Sequence, residues 1–149
     1  MPDVQIREAT VYDAIALAKL MRRADADEVM ASSGVTPRAA TVLSLQQSHS
    51  AFAGFVNGEM VALFGCRRTD DGGCPWLLGT DAIERVSRTF LRESRSMVRQ
   101  MRGYYGILSN RVDDRNEVSK RWLKWLGFEL HDPEPWGFSG LPFRYFEMR

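Results

Sequence analysis

Five side chains capable of polar chemistry crowd into the stretch from Asn110 to Glu117: Asn110, Asp113, Asp114, Asn116 and Glu117. A carboxylate placed there can take a proton from an amine. The same residues also suit a solvated turn, and Asn116 is a natural helix N-cap. Asn110 is less easily explained by capping. A second polar run, Gly79-Thr80-Asp81-Ala82-Ile83-Glu84, enters a helical stretch, where backbone N–H groups are placed to hold an anion. It offers one glycine and two acids, and Thr80 or Asp81 would cap the helix without any ligand. His49 and His131 are isolated, and with Cys66 and Cys74 they make no zinc pattern.

A row of cations is the third feature. Arg85, Arg88, Arg92, Arg95, Arg99 and Arg102 recur at spacings of three and four, opposite an apolar stripe. A solvated face partly balanced by Glu84 and Glu93 accounts for them. A docking surface for an acidic partner or nucleic-acid phosphate is the alternative, since guanidinium groups bind phosphate in bidentate fashion.

These groups sit in a chain of 149 residues, 44% hydrophobic and 26% charged, with a formal net charge of +1. That length fits one domain spanning residues 1–149, able to bury a core without metal or disulfide. The near-zero charge argues neither for nucleic acid nor for a membrane surface as a global partner. No apolar run approaches the roughly 20 residues that span a bilayer. Met1-Pro2-Asp3 carries no export signal, so a cytoplasmic protein with two reduced thiols is expected. A disulfide across the Asp70-Asp71-Gly72-Gly73 turn is the alternative.

The elements that must position these residues follow from periodicity. Val4–Arg7 alternates as a strand; Thr10 caps a helix carrying Ala14, Leu17, Ala18 and Met21. Asp25–Gly34 reads as a short helix and a further one begins after Pro37. Residues 51–56 and 60–65 meet across Asn57-Gly58, a strong hairpin signal, and Trp76–Gly79 completes a meander. A long helix is expected from Ile83 to Met101, with Ile83, Val86, Phe90, Met97, Val98 and Met101 inward and Gly103 as its stop. A strand beginning at Tyr104, a helix over 116–126 with Trp122 and Trp125 on its core face, and strands at 128–130 and 143–148 finish the chain. The class is α+β: a mostly antiparallel mixed sheet of about seven strands flanked by helices.

Asn116 at the start of the last helix and Leu126-Gly127-Phe128 at its end, within this order of elements, resemble the GCN5-related N-acetyltransferase (GNAT) superfamily. Pro75–Thr80, Phe90–Arg95, Asn110–Asp113 and the closing Phe146-Glu147-Met148 are similar to a bacteriophage family described as acetyltransferase-like or internal virion (core) proteins. The resemblance implies an acetyl-CoA-dependent N-acetyltransferase acting on a host or phage protein, or a silent virion or morphogenesis protein, in the host cytoplasm or the virion. It implies a pantetheine arm along Trp76, Leu77, Leu78 and Gly79, and a diphosphate from Gly79 through Thr80, Asp81 and Ala82 to Ile83, with Ser119 as a further cofactor-binding residue. Asn110 and Asn116 would line the substrate end as the candidate catalytic residues. Where the superfamily commonly has a tyrosine as general acid this chain has Leu123, with Tyr104, Tyr105 or Ser109 as possible substitutes.

Overall fold

The computed structural model describes residues 2–85 and 87–149. Strand β1 (Val4–Glu8) leads to α1 (Val11–Leu20), whose entry is fixed by a capping box in which Thr10 Oγ1 accepts from the Asp13 N–H and Asp13 accepts from the Thr10 N–H. Helix α2 (Arg23–Ser33) ends on Gly34 at φ 68°, the left-handed conformation that terminates helices most cheaply when no Cβ is present. Helix α3 (Pro37–Gln47) starts with Thr36 as N-cap and Pro37 in its first turn. Then come β2 (Ser50–Val56), β3 (Glu59–Arg68) and β4 (Gly72–Gly79), the meander the hairpin signals predict. Asn57 and Gly58 both take positive φ at its first turn.

Helices α4 (Ala82–Arg85) and α5 (Ser87–Tyr105) occupy the span expected of one long helix; Val86, one of its inward positions, lies outside the described residues. Gly103 does not stop α5. The helix runs on through Tyr104 and Tyr105 to Gly106, whose φ of 84° and N–H bond to the Arg102 carbonyl end it. Strand β5 is therefore Ile107–Asp113, followed by α6 (Glu117–Leu126), β6 (Glu129–Leu130), β7 (Glu134–Pro135) and β8 (Pro142–Met148).

The strands make one sheet in the order β1-β2-β3-β4-β5-β8-β6, with β7 on β8. Alternation along it sends side chains to two faces. Phe64, Phe90, Met101, Leu108 and Phe128 pack one face beneath α5 and α6; Ala14, Leu17, Ala53, Leu63 and Leu78 pack the other beneath α1 to α3. Trp122 stacks on Phe90 in the first layer. Trp125, expected in the core, is instead 43% exposed with Arg95 stacked over its ring at 4.4 Å. Cys66 pairs with Pro75 and Arg67 with Cys74, so the two thiols leave the β3–β4 ribbon on opposite faces and are free. Burial pushes the Cys66 thiol up to about 12, which makes it unreactive.

Candidate functional site

Strands β4 and β5 run parallel, but they pair only at Gly72–Ile107 and Gly73–Leu108. Glycine is required at the junction: a Cβ on Gly72 would lie 2.0 Å from the Ile107 carbonyl oxygen. Beyond it the strands part, and the edge of β5 toward β4 is left open while its other edge pairs with β8 from Leu108 to Asp113. Asn110 spans the opening, its Nδ2 donating to the Pro75 carbonyl at 2.8 Å and its Oδ1 accepting from the Arg111 N–H at 2.7 Å. The space past this stitch is a cleft of about 480 Å³ lined by Leu77, Leu78, Asn110, Ser119, Trp122 and Leu123 among others.

The ladder decides which backbone groups face that cleft. Thr80 N–H donates to the Val61 carbonyl on β3, so alternate residues Pro75, Leu77 and Gly79 point their main-chain groups away from β3. Pro75 has no N–H and its carbonyl is taken by Asn110. Gly79 donates to Asp25 Oδ2 at 2.8 Å, and its carbonyl accepts from the Arg22 N–H at 2.8 Å. Leu77 alone of the three keeps both its N–H and its carbonyl for the cleft, among the described residues.

Helix α2 reaches into the opening with two carboxylates one turn apart. Asp25 takes the β4 edge at Gly79, and Glu28 Oε1 takes the β5 edge at the Asp113 N–H, 2.9 Å away. Asn116, the N-cap of α6, binds both acids through Nδ2, at 3.1 Å to Asp25 and 3.3 Å to Glu28. The Arg22 guanidinium closes the network, with Nη2 2.8 Å from Asp25, 3.0 Å from Asn116 Oδ1 and 3.3 Å from Ser119 Oγ. Burial opposes that charge, but Asp25 and Glu84 more than offset it and raise the Arg22 pKa.

Glu28 is the perturbed group. Burial first, then the charge of Asp25, push its carboxyl up to about 8, held back in part by the Asp113 N–H and the Asn116 amide. Its Oε1 carries both of those bonds; the side chain lines the cleft. A carboxyl poised near neutrality and facing a cleft is placed to take a proton. The sequence reading missed it. Its only signal was the Asp25–Glu28 spacing of one turn, which on a polar helix looks like solvated charge.

The candidate bases near α6 are engaged elsewhere. The Asp113 carboxylate is 2.7 Å from Arg115, Asp114 binds Lys120 and Arg144, and Glu117 binds Lys120. Arg144 and then Lys120 hold the Asp114 carboxyl below its ordinary value. Of the expected cofactor residues, Leu77, Leu78 and Ser119 line the cleft, whereas Gly79 is bonded within the network. Thr80 and Ala82 are buried and Asp81 is exposed at the turn into α4, away from the cleft lining. Asn110 lines the cleft wall with its amide committed to the strand edges, and Asn116 lies beneath it, 2% exposed. Tyr105 lies away from the cleft, its hydroxyl bound to His49 and Ser50. The connector from His131 to Pro142 packs on the end of α2, with Phe138 and Ser139 N–H groups on the Ser32 and Ala31 carbonyls, and it places Trp136 on the cleft wall.

Acetyl-CoA can be tested against this geometry in two halves. The thioester and pantetheine half finds an open main-chain edge at Leu77 and an apolar wall of Trp76, Leu78, Trp122 and Leu123. Among the described residues, most amides of the turn after β4 are already taken where the diphosphate half would need them. Thr80 N–H is on Val61, Ala82 N–H on Thr80 Oγ1, Ile83 N–H on the Thr80 carbonyl and Glu84 N–H on the Asp81 carbonyl. Asp81 and Glu84 add negative charge where a diphosphate would sit.

No family model and no curated protein matches the chain in sequence. Solved structures match it in fold. An acetyltransferase of the GNAT family from Streptococcus pneumoniae is similar with a TM-score of 0.64 at 15% identity, covering 98% of both chains. Ribosomal-protein-alanine N-acetyltransferase from Brucella melitensis gives 0.70 at 14%, over 97% of this chain and 98% of that one. An aminoglycoside acetyltransferase in complex with coenzyme A gives 0.70 at 17%, over 98% and 94%. The mixed sheet flanked by helices on both faces is the fold of the GNAT acetyltransferases.

Proposed function

We propose that the chain is an N-acetyltransferase that holds the acyl end of acetyl-CoA along β4 with a weakened hold on its diphosphate. One observation carries the reading: Glu28, with its carboxyl near 8, lines the same cleft onto which the free main chain of Leu77 opens. The cofactor would supply an activated acyl group as a thioester. The Leu77 N–H is the donor available to polarise a carbonyl at this edge. Glu28 takes the proton from the acceptor amine as it attacks, with Asn116 and the Asp113 N–H fixing its Oε1 and so its orientation. Leu123, on the cleft wall, has no proton to give, so the leaving thiolate is protonated by solvent. The acceptor class that fits is a primary amine on a host or phage protein.

A second reading rests on the turn after β4. With the amides of Thr80, Ala82, Ile83 and Glu84 spent internally, and Gly79 and Asn116 bound to Arg22 and Asp25, the chain's own groups occupy positions that a cofactor would use. That arrangement suits a catalytically silent member of the phage family it resembles, serving the virion or its assembly. Calorimetric titration with acetyl-CoA, desulfo-CoA and ATP separates the two. The transferase reading expects saturable binding of the CoA forms and not of ATP; no heat from any of them at millimolar ligand would leave the silent reading.

A further inference from the structure

Helix α5 presents five arginines to solvent, Arg88, Arg92, Arg95, Arg99 and Arg102, each exposed. At about 100° per residue they fall within an arc of about 80°, opposite Phe90, Met97 and Met101. Glu93, the only acid of α5, lies on a different flank. Among the described residues no carboxylate stands within ion-pair distance of any of the five. Arg85, by contrast, belongs to α4 and is bonded to Glu59 at 2.8 Å. Arg95 stacks on Trp125 of α6, and Arg121 and Lys124 of that helix are exposed as well.

We infer that this face binds the phosphate backbone of nucleic acid, independently of any acyl transfer. The row from Arg88 to Arg102 rises about 21 Å along the helix. Duplex DNA carries a charge about every 1.7 Å of axis over both strands, so about twelve phosphates lie along that length and roughly half of them turn toward one side. The five guanidinium groups thus face a polyanion of comparable charge density, to which they offer bidentate bonds. An acidic protein fits less well. Such an interface is built round several buried apolar anchors, and among the described residues this face offers Trp125, one side of whose ring is taken by Arg95. The net charge of +1 does not oppose the inference, because the stripe is local and the acids lie elsewhere.

Fluorescence anisotropy of a short labelled DNA duplex at rising salt tests it. Five phosphate contacts predict a slope of log affinity against log salt of about −4 to −5 for the unaltered protein. The triple variant R92Q/R95Q/R99Q, whose substitutions are exposed and helix-compatible, should lose at least ~10-fold in affinity and bring the slope to about −2. R92K/R95K/R99K should keep most of the slope, and thermal melting of both variants should match the parent. Equal binding by the parent and the glutamine variant, or displacement of DNA by polyglutamate of matched charge as readily as by unlabelled duplex, would overturn the inference. The second of those results would assign the face to an acidic protein.

Discussion

Glu28 concentrates the chemistry that single residues contribute. Its carboxyl is raised from the ordinary 4.5 to about 8, so the folded protein binds a proton there that the unfolded chain has already lost. The contribution to stability is therefore present in full below the ordinary carboxyl range, declines as pH rises, and is gone above about 8. Glu28→Gln removes that titration: in thermal melts it should flatten the fall in Tm over this window. The same ionisation is required of a base, so acetyl transfer should rise with pH and level off above about 8. Glu28→Gln should lower kcat/KM about 100-fold or more and abolish that pH dependence. A variant with parental kcat/KM would remove Glu28 from the reaction. Asn116 was legible in the sequence as a cap. Its bonds to Arg22, Asp25 and Glu28 were not, because partners 88 to 94 positions away leave no periodic trace.

Among the elements, α6 shows how local signals and tertiary demand converge. Asn116 and Gly127 mark its ends as the sequence reading expects, and Gly127 adopts φ 105°. Its N-cap also holds the buried network together. Asn116→Ala should destabilise the fold by about 3 kcal/mol, the sum of a lost cap and of groups left unpaired inside. The corresponding drop in Tm is about 6–12 °C for a chain of this size. Asn116→Ser restores the cap alone and should recover roughly a third of that loss. Full recovery by serine would mean that the network adds nothing. The boundary of α5 was misplaced for a physical reason. Glycine inside a helix costs only about 1 kcal/mol, so Gly103 is tolerated, whereas Gly106 supplies the left-handed residue that ends the helix. Spacing assigns Trp125 to the core face because it identifies a stripe without saying how wide the covered part is.

At the level of the whole molecule, the order of strands and helices was readable from alternation, hairpin residues and caps, and the fold agrees with it. The parting of β4 and β5 was not readable from periodicity. It depends on where two strands distant in sequence stop pairing, after Gly73–Leu108, while β8 holds the other edge of β5 from Leu108 onward. The consequence is a molecule whose two helical layers have different roles. The α1–α3 side supplies the acids and, through the end of α2, anchors the Trp136 connector; the α5–α6 side supplies core and the arginine face. Leu77 offers the open main-chain edge, whereas the N–H groups of Gly79, Thr80, Ala82, Ile83 and Glu84 are already satisfied by the chain itself. Amide chemical shifts of the nitrogen-15-labelled protein, followed while acetyl-CoA is added, test it most directly. The Leu77 amide should move furthest and saturate, with Gly79, Thr80, Ala82, Ile83 and Glu84 nearly still. Shifts centred on residues 79–84, with Leu77 unmoved, would contradict it.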